Sequence, residues 1–195
     1  MCAYLPPLPL LPADVVFAVF EEGTGEALRN WLKSGQLELD AKYGGGWTRF
    51  SFKDVVRLSL IRRLVGVGIT IREANELLRI WTRFISYPFD TAPEGAGQAF
   101  DGVKMIVWRN EKGDWTIATG EDDYVKEKMR ADVLIVLDLG TIIGTAIARA
   151  RGSIELRAQE KEQLRKERER FRKKRAAIRK PKPARKASVQ EPARG

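Results

Sequence analysis

The chain has no histidine and a single cysteine, Cys2, among its 195 residues. One thiol cannot close a disulfide within the chain, which suits a reducing compartment. Without imidazole or a cluster of thiols, a zinc or copper site would have to be built from Asp, Glu and backbone oxygens, a poor donor set for either ion. No metal and no cofactor is therefore expected, and the acidic turn Glu121-Asp122-Asp123 reads as solvated charge. Long apolar runs are missing as well. The longest, Val133–Ala148, is interrupted by Asp138, whereas a membrane span needs about 18 apolar residues together. The opening MCAYLPPLPLLP has no basic start, and Pro6, Pro7 and Pro9 break its apolar run, so it does not read as a signal peptide. No Gly-x-x-x-x-Gly-Lys phosphate loop occurs.

Positive charge is abundant but local. The net charge is +9, yet Glu155 to Lys186 alone hold 15 Lys and Arg against 5 Asp and Glu. Residues 187–195 balance to zero, so residues 1–154 sum to −1. A high isoelectric point here is a property of the tail and does not argue that the whole fold binds nucleic acid. Within the body, residues 24–83 carry +5, whereas 1–23 and 84–154 each carry −3. One stretch of the body is basic.

The periodicity divides the chain into four parts: a Pro-rich arm over 1–11, a helical domain over 12–84, a small α+β module over 85–152, and a basic helix with a disordered tail over 153–195. The fold class expected is mainly α with small β parts. Pro12 suits the first position of a helix to about Phe20, with Val15, Val16, Val19 and Phe20 inward. Thr24 is placed as the N-cap of a second helix to about Ser34, stopped by Gly35. Leu37–Asp40 and Trp47–Phe50 read as short strands around Ala41–Gly46. Ser51 and Asp54 form a capping pair for a helix with Val55, Leu58, Ile61 and Val65 inward, ended by Gly66 and Gly68. Thr70 to Glu73 is a second capping box, opening a helix whose inner face is Ile71, Ala74, Leu77, Leu78 and Trp81.

Beyond a Gly-, Pro- and Ala-rich loop over 86–101, the period changes to two. Val103–Trp108 and Trp115–Thr119 read as a hairpin turning at Asn110 to Gly113. Val133–Leu137 reads as a central strand and Ile142–Ala150 as a helix. Ser153 to Ile178 forms helix by propensity with hardly any apolar face; Leu164, Phe171 and Ile178 recur at seven, a weak coiled-coil signal.

Between Thr24 and Leu78 these features line up as LRNWLKSG (28–35), GGGWTRFSFKDVVRLSLIRRL (44–64) and GITIREANELL (68–78). That order of short helix, Gly-rich turn and helix pair resembles the winged helix-turn-helix domain of the MerR family of transcription regulators, over about residues 12–82. The resemblance implies a recognition helix carrying Leu28, Arg29, Asn30 and Trp31 before Gly35-Gln36-Leu37. Arg29 matches the family's groove- and phosphate-contacting arginine. Trp31 stands where a tyrosine usually meets a phosphate, and Asn30 replaces the first aromatic. The family's wing, Gly-Tyr-Arg-x-Tyr, corresponds to Gly46, Trp47, Thr48, Arg49 and Phe50. The wing arginine is thus Thr48, with Arg49 one place later on the opposite strand face, and either residue is a candidate contact. DNA-binding candidates are Thr24, Arg29, Asn30, Trp31, Lys33, Lys42, Thr48, Arg49, Arg62 and Arg63. A plain helical bundle with solvated charges would account for the same pattern without DNA.

Leu137-Asp138-Leu139-Gly140-Thr141 looks like the first phosphate turn of the actin and sugar-kinase ATPases, but those folds need a second loop and two domains. We read it as a strand end and helix start with glycines for close packing, and no catalytic residue is expected. The resemblance implies a non-enzymatic transcription regulator binding double-stranded DNA as a homodimer, with RNA polymerase as a further partner, no membrane, and a cytoplasmic, nucleoid-associated location. The alternatives are an architectural or phage- or plasmid-type DNA-binding accessory protein, and an RNA-associated protein dominated by its tail.

Overall fold

The computed structural model describes residues 10–20, 25–35, 37, 39, 43–44, 47–84, 96–121 and 134–178, of which 43–44, 47–48, 80, 82–84, 96 and 176–178 as backbone only. It is mainly helical: α1 (Pro12–Phe20), α2 (Glu26–Lys33), β1 (Tyr43–Gly44), β2 (Trp47–Thr48), α3 (Phe52–Gly66), α4 (Ile71–Phe84), α5 (Ala96–Ala99), β3 (Lys104–Arg109), β4 (Trp115–Gly120), β5 (Leu134–Asp138) and α6 (Leu139–Ile178). The chain divides into two units, Met1–Glu155 and Leu156–Gly195.

Helix α3 is the hub of the first unit. The spacing of Val55, Leu58, Ile61 and Val65 predicts one inward face, but Phe52, Val56, Leu60 and Leu64 are buried too. The reason is that α3 packs against both α1 and α4, so two of its sides need apolar cover. Each such fully buried side chain is worth about 1.5–3 kcal/mol relative to exposure. Its start is the expected capping box. Ser51 Oγ accepts from Asp54 N–H at 3.1 Å, and Asp54 Oδ2 accepts from Ser51 N–H at 2.8 Å. The box opening α4 also forms: Thr70 Oγ1 accepts from Glu73 N–H at 3.3 Å, and the Glu73 carboxylate accepts from Thr70 N–H at 3.0 Å. A buried polar pair ties the two helices, Arg57 Nη2 donating to Asn75 Oδ1 at 2.9 Å.

Several expectations are corrected. The strand predicted over Trp47–Phe50 forms but is shorter, Trp47–Thr48, and its antiparallel partner is Tyr43–Gly44 rather than a strand over Leu37–Asp40, with Tyr43 facing Thr48. Leu37 and Leu39 lie outside any strand and pack on the core instead. Phe50 bridges Leu10, a partner 40 residues away that no local pattern reveals, and both side chains are buried. Helix α2 begins after Gly25, not Thr24. The segment read as a loop over 86–101 contains the single turn α5.

The predicted hairpin forms, with Ile106 opposite Ala118 and Asn110 closing the turn through Gly113, whose φ is 82°. The third strand corrects the reading of a central apolar strand. β5 is an edge of a three-stranded antiparallel sheet ordered β4-β3-β5, and β3 is central. Met105, Ile106 and Val107 on β3 are accordingly fully buried, whereas Val136 on β5 is exposed. An apolar run fixes neither the order of strands nor which one is flanked on both sides. Finally, the two helices predicted over 142–150 and 153–178 are one, because Gly152 lies between strong helix formers and its cost of about 1 kcal/mol is outweighed.

The start of α6 is fastened closely. Leu139, Ile143, Ala146, Ile147 and Ala150 enter the core at helical spacing. A Cβ on Gly140 would lie 2.9 Å from the carbonyl oxygen of Phe100, and one on Gly97 would lie 2.9 Å from Cα of Gly144. These glycines serve the close packing read from the sequence. Asp138 caps the helix through Thr141 N–H at 2.9 Å and pairs with Lys104 at 2.6 Å. Those two partners, Lys104 first, hold its carboxyl well below the ordinary value, at about 2. From Leu156 the helix is almost wholly exposed up to Arg175.

Candidate nucleic-acid interface

Helix α2 is eight residues long and divides cleanly by face. Leu28 is buried, and Ala27, Trp31 and Leu32 are half-buried against the core. Glu26, Arg29, Asn30 and Lys33 are exposed. Residues three and four apart share a helix face, so Glu26, Arg29, Asn30 and Lys33 form one polar strip. Its N-cap, Gly25, supplies no side-chain hydrogen bond. Arg29 Nε donates to the Gly25 carbonyl at 3.1 Å, which lays the guanidinium along the first turn. The helix ends as expected: Ser34 Oγ donates to the Trp31 carbonyl at 2.7 Å, and Gly35 takes a φ of 65°.

What braces α2 is aromatic. The Phe20 ring, at the end of α1, meets Trp31 edge to face at 5.1 Å. Arg62 of α3 sits over the same Phe20 ring at 5.6 Å and donates through Nη1 to the Val19 carbonyl. Phe20 therefore joins α1, α2 and α3 at one point. The sequence pattern puts Phe20 on an inner face but names no partner for it. Nor does it distinguish half-buried Arg62, engaged within the fold, from its neighbour Arg63, which is exposed.

The ten sequence candidates thus fall into groups. Arg29, Asn30 and Lys33 share the exposed side of α2. Trp31 turns inward to Phe20, and Arg62 is tied to the end of α1. Arg49 is exposed just after the β1–β2 pair, and Arg63 is exposed on α3. Thr48 lies in β2 as backbone, paired with Tyr43. Thr24 and Lys42 lie outside the described residues.

Among the described residues no group of three His, Cys, Asp or Glu is disposed to hold a metal ion. Asp122 and Asp123 of the acidic turn lie outside them. Among the same residues, no helix is long and apolar enough to cross a membrane. No curated protein matches the chain. Residues 24–80 match the family model described as MerR HTH family regulatory protein, which bears out the resemblance read from the sequence and, at the level of that family, supports a DNA-binding regulator.

Proposed function

We propose that the protein is a transcription regulator that reads double-stranded DNA with α2 in the major groove and the β1–β2 pair as a wing along the backbone. The observation that carries this reading is the exposed strip of Arg29, Asn30 and Lys33 on a short, braced helix inside the matched segment 24–80. A groove-reading helix must present polar side chains outward while another element holds it from behind. Arginine and asparagine are suited to paired hydrogen bonds on guanine and adenine edges. Arg29 and Asn30 are the base-reading pair; Lys33, Arg49 and Arg63 meet phosphates, with Lys42 and Thr48 as further wing contacts and Thr24 at the start of α2. The first-turn N–H groups of α2, without a side-chain cap, add donors of the kind that helix starts offer to phosphate. The protein acts as a homodimer on paired half-sites and meets RNA polymerase at the promoter. Dimerisation draws on the helix that carries Leu156, Leu164 and Phe171, large apolar side chains each more than half exposed.

A second reading has its own observation. The exposed part of α6 is dense in Lys and Arg, so an architectural role with tail-driven binding would need no base reading at all. In vitro selection on random duplexes with the full chain, at two salt concentrations, separates the two. A regulator yields a defined half-site, its spacing, and selectivity that Arg29→Ala abolishes. Binding that is indifferent to sequence and to Arg29, and that disappears with residues 156–195, would overturn the first reading in favour of the second.

A further inference from the structure

A cavity of about 460 Å³ lies in the first unit between α1, α3, the end of β5 and the start of α6. Its size is within the range of small-molecule sites. Three arginines line it, Arg62, Arg63 and Arg149, and its described lining holds no acid. Thr145 adds an exposed hydroxyl, while Val19, Leu137 and Ile142 give one side an apolar surface. Asp138, the acid that opens α6, is engaged by Lys104 and by the Thr141 N–H. Three arginines lining one cavity with an apolar wall suit a ligand with an anionic head and a hydrocarbon body. The fork of donors on each guanidinium matches phosphate oxygens.

We propose that this cavity binds a small organic phosphate, and that its occupancy weakens DNA binding through Arg62. The second clause rests on the DNA-binding reading above; the first does not. Arg62 is the link because it lines the cavity and also holds the Val19 carbonyl and the Phe20 ring, which in turn braces Trp31 of α2. An anion drawn to Arg62 competes with those contacts and so loosens the brace. It also cancels part of the +5 carried by residues 24–83. Both effects lower affinity for duplex, and a ligand shifts an equilibrium only by such a difference between states.

The probe is phenyl phosphate, added to the full chain without DNA and followed by amide chemical shifts. Saturable one-to-one binding is expected, with shifts at Gly66, Val67 and Thr145. Arg149→Met should weaken it at least tenfold and Thr145→Val about threefold, with the amide spectrum of each variant still that of the folded protein. At saturation the probe should weaken duplex binding at least threefold in the wild type and leave Arg149→Met unaffected. Shifts confined to residues 156–175, equal affinity in both variants, or unchanged duplex affinity at saturation would each overturn the proposal. A probe effect on DNA that persists in Arg149→Met would mean direct competition at the DNA face, which also overturns it. Failure to bind any duplex would sink the DNA reading, while the shift experiment alone still decides whether the cavity takes the phosphate.

Discussion

Helices α2 and α3 both belong to the matched segment and are built in opposite ways. α3 has fifteen residues, ten of them buried, and a two-way capping box at its start. α2 has eight residues, one of them buried, and no side-chain cap. Isolated helices as short as α2 are marginal in water, so its shape is held by what lies behind it. The contrast separates two demands on the domain. One helix carries much of the core; the other leaves free of the core the face to which we assign DNA contacts.

The largest effect should come from breaking the stable member. Leu60→Ala on α3 removes a side chain with no exposed surface and should cost about 2–5 kcal/mol, read as a lower midpoint in denaturant. Arg29→Ala on α2 should do the reverse: stability within about 0.5 kcal/mol of wild type, but a loss of about 1–3 kcal/mol in selective DNA binding by gel shift. If Arg29→Ala unfolds the protein, or leaves selectivity intact, the division of labour is wrong. Ser51→Ala tests the cap that α3 has and α2 lacks, and about 1 kcal/mol should go in thermal unfolding. The smallest effect is acid sensitivity. Asp138 lies at about 2 against an ordinary 3.8, and Glu73 is lowered by its bonds from Thr70. Depressed carboxyls stabilise the fold above their ordinary values and lose that contribution as pH falls. Unfolding should therefore become easier between about pH 4 and 2. Asp138, with its side chain 41% exposed, should account for less than about 1 kcal/mol of it, and Asp138→Asn should flatten the dependence.

The same contrast explains what was legible beforehand. Ser51 with Asp54 and Thr70 with Glu73 were readable because a capping box lies within four residues. The limits of α1 and the β3–β4 hairpin followed from equally local signals at Pro12 and at Asn110 to Gly113. The exposed strip of α2 was readable as Arg29 and Lys33 four apart. Distant pairings were not: Phe50 with Leu10, Arg62 with Val19, and Phe20 with Trp31 depend on how helices and strands meet, which no short window encodes. Strand order failed for the same reason, since Leu134–Asp138 looks alike at an edge or in the middle of a sheet. Arg149 gives no local signal, because one arginine on a helix carries no sign that Arg62 and Arg63 line the same cavity.

Asp14 is nearly fully buried, and its two carboxylate oxygens reach segments far apart in the chain. Its Oδ2 accepts from the Leu11 N–H at 2.8 Å, closing the start of α1, and its Oδ1 accepts from Ser153 Oγ at 2.8 Å. The two residues of that second bond are 139 positions apart. At synthesis rates of roughly 5–20 residues per second, the hydroxyl leaves the ribosome about 7–28 s after the carboxylate it binds. For that interval α1, the helix whose last residue seats Trp31, waits for its partner. Contacts this far apart in sequence also slow refolding, because the loop between them must close first. Helix α1, although made among the first residues, gains this bond only after Ser153 has been added.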